Sequence, residues 1–241
     1  MKKIINAIFL LSCIFCLSCE NDIDNYSAPD GGVYGALYDK QTLDTIPMPV
    51  SGNSGVMIRL YEQNTDATEP VDFYANEDGT FKNSKVFNGD YLIKVVNGPF
   101  AGICEDYITI KGQTNAKLYT IPFSRVNLHA TVSDDNKISV DYDAVPSNDT
   151  YSISNVQFIW NFAPGVDVNN ANYAGIKSIG SSEKGTYTYN LMDDAEFVEN
   201  YYKILSDSNK VYIRMAATVT VDSVSYVNYS KVAEVKVHDL R

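Results

Sequence analysis

Asn88-Gly89-Asp90-Tyr91-Leu92-Ile93-Lys94-Val95-Val96 reads as a tight turn feeding a strand. Asn and Gly tolerate the positive φ that a short hairpin turn requires. Beyond the turn the side chains alternate, with Tyr91, Ile93 and Val95 on one face and Leu92 and Val96 flanking Lys94 on the other. A period of two assigns the first set to a core, and the mixed second set predicts a face that is only partly covered. The same grammar continues outward in both directions. Strands are expected at 33–38, 56–61, 80–82, 107–110 and 117–121, with Glu77-Asp78-Gly79 as a further turn. Helical periodicity is nearly absent, so the pattern predicts antiparallel sandwiches.

The second half repeats the theme. Ser133-Asp134-Asp135-Asn136-Lys137 signals a hairpin between 126–130 and Ile138-Ser139-Val140-Asp141-Tyr142, and strands follow at 156–162, 186–189, 211–219 and 224–237. Phe158, Trp160 and Phe162 share parity and are expected to fill the space between two sheets. Residues 193–205 predict one short helix with an acidic first turn, whose stripe of Phe197, Val198, Tyr201, Ile204 and Leu205 packs on the core. Each half is long enough to bury a core of its own. The expected architecture is all-β, two consecutive antiparallel β-sandwich domains at 32–124 and 125–241, joined near Ile121-Pro122-Phe123-Ser124, with a fragment ending at Ser124 able to fold alone.

Composition agrees. The 241 residues are 45% hydrophobic and 20% charged, with 18 Tyr and 10 Phe against 1 Trp, a globular and strand-favouring mixture. A net charge of −11 argues against nucleic acid and anionic membrane surfaces as partners.

The N-terminus carries an address. Lys2 and Lys3 precede an apolar run from Ile4 to Leu17 of signal-peptide length, too short to span a bilayer. Leu17-Ser18-Cys19 resembles a lipobox, where bacterial lipoproteins are acylated on Cys and cleaved before it, although Cys16 stands where Leu or Val is usual. Leu10-Leu11-Ser12 before Cys13 fits that pattern better, but cleavage there would leave a shorter apolar run and an apolar tether. The expectation is therefore a signal peptide at 1–18, lipidation at Cys19 and an acidic tether at 19–31. Glu20, Asp22 and Asp24 resemble the signal that sends Bacteroidota lipoproteins to the outer face of the outer membrane. Removal of residues 1–18 leaves 223 residues with a net charge of −13. Cys104 is then the only thiol besides Cys19, which rules out a disulfide framework and suggests a small buried side chain.

Gly35-Ala36-Leu37-Tyr38-Asp39, Val56-Met57-Ile58-Arg59-Leu60-Tyr61, Glu77-Asp78-Gly79-Thr80-Phe81 and Gly89-Asp90-Tyr91 together resemble the prealbumin-like sandwich shared with carboxypeptidase regulatory domains. The fuller string, adding Asn25-Tyr26-Ser27-Ala28-Pro29-Asp30, Asp72-Phe73-Tyr74 and Asn97-Gly98-Pro99-Phe100, resembles the Bacteroidota lipoproteins of domain of unknown function 3823. That resemblance implies a second, immunoglobulin- or fibronectin-like sandwich and a setting beside outer-membrane glycan importers. It brings no catalytic residues.

Catalytic chemistry is sparse. His129 and His238 are the only histidines, and no phosphate loop, dinucleotide fingerprint or glycosidase strand motif is found. No enzyme and no cofactor are expected. Asp134-Asp135-Asn136 and Asp193-Asp194 offer oxygens for calcium but lack the spacing of a calcium loop, and read more simply as a turn and a helix cap. Tyr173, in an Asn- and Gly-rich segment, and Phe100, after Gly98-Pro99, are the candidate sugar-stacking rings, against the plainer reading that each anchors its own loop. Two function classes follow: a non-catalytic surface lipoprotein that binds neutral oligosaccharides weakly, or a subunit that docks on an importer without binding glycan.

Overall fold

The computed structural model describes residues 27–239. The signal-peptide reading, Cys13 and Cys19 lie outside them. The first sandwich contains β1 (Gly31–Asp39), β2 (Met57–Glu62), β3 (Val71–Tyr74), β4 (Thr80–Val86), β5 (Gly89–Val95), β6 (Phe100–Ala101), β7 (Cys104–Ile110) and β8 (Gln113–Pro122). Two sheets, ordered β4-β1-β8-β6 and β3-β2-β5-β7, enclose Val33, Leu37, Ile58, Leu60, Ile93 and Leu118. These are the inward members of alternating strands, as the period of two requires.

Pairing is not antiparallel throughout, which corrects the sequence reading. β1 and β8 run parallel, in register from Gly32↔Gln113 to Asp39↔Thr120. Alternation marks which face is buried but not the direction of a neighbour, and here the first and last strands lie side by side. Gly35 permits the approach, because a Cβ there would stand 1.7 Å from the Ala116 carbonyl oxygen.

The second sandwich contains β9 (Ser124–Val132), β10 (Lys137–Pro146), β11 (Ile153–Asn161), β12 (Gly175–Gly180), β13 (Lys184–Asn190), α1 (Ala195–Glu199), α2 (Tyr201–Ser206), β14 (Lys210–Val221), β15 (Val224–Tyr229) and β16 (Ala233–Lys236). Sheet β13-β10-β9 faces sheet β12-β11-β14-β15, with β16 also paired to β14. Trp160 and Phe158 are fully buried between them. Trp160 packs edge-on against Phe162 and Phe197, and its Nε1–H donates to Asp194 Oδ2 at 3.0 Å.

Two expected elements are broken. The run 224–237 divides at Ser230, whose hydroxyl accepts from Met215 N at 3.0 Å while its carbonyl accepts from Arg214 Nε at 2.7 Å. The expected single helix is two, because Asn200 Nδ2 donates to the Glu196 carbonyl at 3.1 Å and ends α1. Phe197 and Ile204 remain in the core, but Val198 and Leu205 turn outward, 44% and 51% exposed.

Among the described residues all strand pairing stays within 31–122 or within 124–236, yet the sandwiches are joined by buried polar contacts. Arg214 on β14, with no exposed surface, donates from Nη2 to the Met48 carbonyl at 2.8 Å and the Glu77 carbonyl at 3.2 Å, and from Nη1 to the Val166 carbonyl at 2.9 Å. Asp167, also buried, accepts from Val50 N and Ser54 Oγ of the first sandwich. Asn228 completes the seam, accepting from Ser124 N and donating to the Pro99 carbonyl.

Candidate functional site

The inner face of sheet β3-β2-β5-β7 is core, and its outer face is open. Register orders that outer face into rows that cross the strands. Tyr61, Leu92 and Tyr107 stand opposite one another on β2, β5 and β7. Tyr61 and Leu92 are half-buried and Tyr107 is 73% exposed. On one side lies a charged row, Asp72-Arg59-Lys94-Glu105. It neutralises itself through an Arg59–Asp72 pair at 2.9 Å and a Lys94–Glu105 pair at 3.3 Å. Asp72 holds the Arg59 guanidinium above its ordinary value.

On the other side Asp90 pairs with Thr109, and Gln63 N donates to the Asp90 carbonyl at 2.8 Å. Gln63, Asn64, Asp90, Tyr107 and Thr109 line a shallow hollow of about 360 Å³. Thr109 Oγ1 donates to Asp90 Oδ1 at 2.6 Å, which fixes that carboxylate beside the exposed ring. An aromatic and aliphatic stripe bordered by amide, hydroxyl and carboxylate groups suits a ligand with apolar faces and a hydroxylated rim.

The two rings singled out from sequence do not lie here. Phe100 is only 8% exposed, within the first core, where its ring fills the space above Gly98. It has no free face to stack on a sugar, so its assignment as a binding ring is corrected. Tyr173 is half-buried against Ile159, Val166, Tyr212 and Tyr229 on the outer face of the five-stranded sheet of the second sandwich, whereas the Tyr107 row belongs to the first. It roofs a small cluster beside Arg214. Among the acidic clusters, Asp135 pairs with Lys137 in the hairpin where Asn136 adopts φ 58°, and Asp194 caps α1 through Glu196 N.

A second concavity, of about 270 Å³, lies at the seam between the sandwiches and includes Asp39, Ile46, Ser124, Arg125, Asn228 and Lys231. Its polar floor is already committed, since Arg125 donates to both oxygens of Asp39 and to Gln41 Oε1. It is a joint. Sequence reasoning missed Tyr61 and Tyr107 because each lies at the end of a predicted strand, and only the register aligns them with Leu92. The mixed outward set around Lys94 was the available signal.

Residues 32–120 match the N-terminal domain of the protein family of unknown function DUF3823. No curated protein matches the chain. Among solved structures, a DUF3823 family protein from Parabacteroides merdae superposes with a TM-score of 0.73 at 18% identity, over 87% of this chain and 100% of that one. One from Bacteroides uniformis gives 0.66 at 21%, again over 87% and 100%. A further Bacteroides uniformis protein, described as a "putative carbohydrate binding protein", gives 0.66 at 19% with the same coverage. At these identities the likeness is one of fold.

Proposed function

We propose that this chain, which carries the DUF3823 N-terminal domain at residues 32–120, is a non-catalytic surface lipoprotein that binds neutral oligosaccharides in support of glycan capture. The observation that carries the reading is the Tyr61-Leu92-Tyr107 row with its polar borders on an uncovered sheet face. The carbohydrate-binding description of one structural relative supports it. Acylation at Cys19 would hold the protein at the outer membrane, facing outward, with mass spectrometry of the mature N-terminus as its test; an acylated Cys13 or an unmodified terminus overturns that anchor.

Binding is expected to be weak, because a shallow face desolvates few polar groups. The net charge of −13 on the mature chain disfavours sulfated and uronate-rich glycans. Affinity electrophoresis of the soluble 20–241 chain in gels containing neutral polysaccharides tests the reading. Retardation should be reduced about tenfold in Tyr107→Ala and kept in Tyr173→Ala.

One observation favours the docking alternative: Met192, Val198, Tyr202 and Leu205, all at least 42% exposed, gather on or next to α1 and α2. No retardation in any gel, together with copurification with an importer, would transfer the function to that surface.

A further inference from the structure

We infer that the Tyr61-Leu92-Tyr107 face takes a single extended, β-1,4-linked neutral pyranose chain lying across the strands. The inference rests on the glycan-binding reading above and names the linkage class.

Tyr61 and Tyr107 occupy β2 and β7, separated by β5, in one row of the register. Adjacent strands lie about 4.8 Å apart, so the two ring-bearing positions are about 10 Å apart. An extended chain of equatorially linked six-membered rings turns the same face to one side at every second sugar, with a repeat close to that separation. Two such sugars can meet Tyr61 and Tyr107, with the intervening sugar over Leu92. An α-1,4-linked or β-1,3-linked chain curls, so its successive rings leave a straight row.

The borders agree. Equatorial hydroxyls of an extended chain project sideways, toward Gln63, Asn64, Asp90 and Thr109 on one flank and the Arg59–Asp72 and Lys94–Glu105 pairs on the other. Both flanks offer donors and acceptors without a net positive charge, so an anionic chain finds no compensation. Sheet twist turns each strand by about 20–25° relative to the next, or about 45° from β2 to β7. The rings therefore cannot be coplanar, which suits one flexible chain in solution and not the flat face of a crystalline polysaccharide.

The test uses the 20–241 chain in native gels containing hydroxyethylcellulose or glucomannan as β-1,4 probes, amylose as the α-1,4 probe and laminarin as the β-1,3 probe, plus a pull-down on crystalline cellulose. Expected are the strongest retardation on the β-1,4 probes, an apparent Kd about tenfold weaker in Tyr107→Ala, and no capture by crystalline cellulose. Tyr61→Ala provides a second variant, and thermal melts of both check that folding is kept. Retardation only by amylose or laminarin, or β-1,4 binding unchanged in both variants, overturns this inference and leaves glycan binding standing. Absence of retardation by every neutral polysaccharide overturns both.

Discussion

Glu77 stands at the edge of the seam, its Oε1 accepting from Val166 N at 2.9 Å and from Arg214 Nη1 at 3.3 Å. Burial pushes its carboxyl above the ordinary 4.5, and the Val166 and Arg214 contacts only partly oppose that. A carboxyl raised in the folded state contributes stability that is present below the unfolded value and lost as pH rises through the folded one. Glu77→Gln keeps the accepting oxygen and removes the titration. Denaturant unfolding at a series of pH values above 4.5 should show the native chain losing stability relative to Glu77→Gln as pH rises; parallel profiles would refute the assignment. Cys104 gives a second prediction. It is 1% exposed, and burial pushes its thiol up to about 11. An aromatic disulfide reagent near pH 8 should leave it unmodified in the folded soluble chain and titrate it in guanidinium, whereas rapid labelling of the native protein would contradict the burial.

At the scale of elements, β1 and β8 depend on one absent methyl group. Gly35→Ala would drive a Cβ into the Ala116 backbone, where no flexible side chain can yield. The variant should be destabilised by about 3 kcal/mol or more, beyond ordinary overpacking, and a melting midpoint within a few degrees of the native chain would show that the strands can separate. Strand positions and their buried faces were legible because alternation and turn chemistry are local: Glu77-Asp78-Gly79 stands at a turn with Gly79 at φ 82°, and Ile138, Val140 and Tyr142 point inward. Asn88-Gly89 corrects the hairpin reading, since it joins β4 and β5 of different sheets and neither residue adopts a positive φ. Partnership was not legible. The parallel β1–β8 pair, the edge strand β3 and the row across β2, β5 and β7 depend on which strands meet, and no local period encodes that. The break at Ser230 follows from Arg214 taking its carbonyl, a contact 16 residues away in the chain. Phe100 was misread for the same reason, since a ring after Gly-Pro looks like a loop ornament until β6 pairs with β8 and buries it.

For the whole molecule, Arg214 decides whether two sandwiches behave as one. Burial pushes its guanidinium down to about 10, still charged at neutral pH, and it is satisfied by carbonyls from both halves. Its ring contact with Tyr229, 4.5 Å from guanidinium carbon to centroid, adds to the seat. Arg214→Ala leaves those carbonyls without their donor and Glu77 with Val166 N but without its counter-charge, which should cost about 3–5 kcal/mol. Calorimetry should show one cooperative transition in the native chain and two in the variant, with the 32–124 fragment melting below the intact protein. Identical single transitions would mean that the seam does not couple the halves.

The parallel β1–β8 pair also has a mechanical meaning. The chain reaches β1 from its N-terminal side and leaves β8 toward the second sandwich, so a pull between residue 27 and the second sandwich drags the two strands in opposite directions along their length. The eight register pairs from Gly32↔Gln113 to Asp39↔Thr120 are then loaded together, in shear, instead of being unzipped one by one. Forced extension from residue 27 to residue 239 should show a high-force rupture of the first sandwich, and moving one attachment point to the β4–β5 turn at Phe87 should lower that force several-fold. Under the glycan-capture function proposed above, this geometry would let the first sandwich hold against a load along the chain even where each sugar contact is weak.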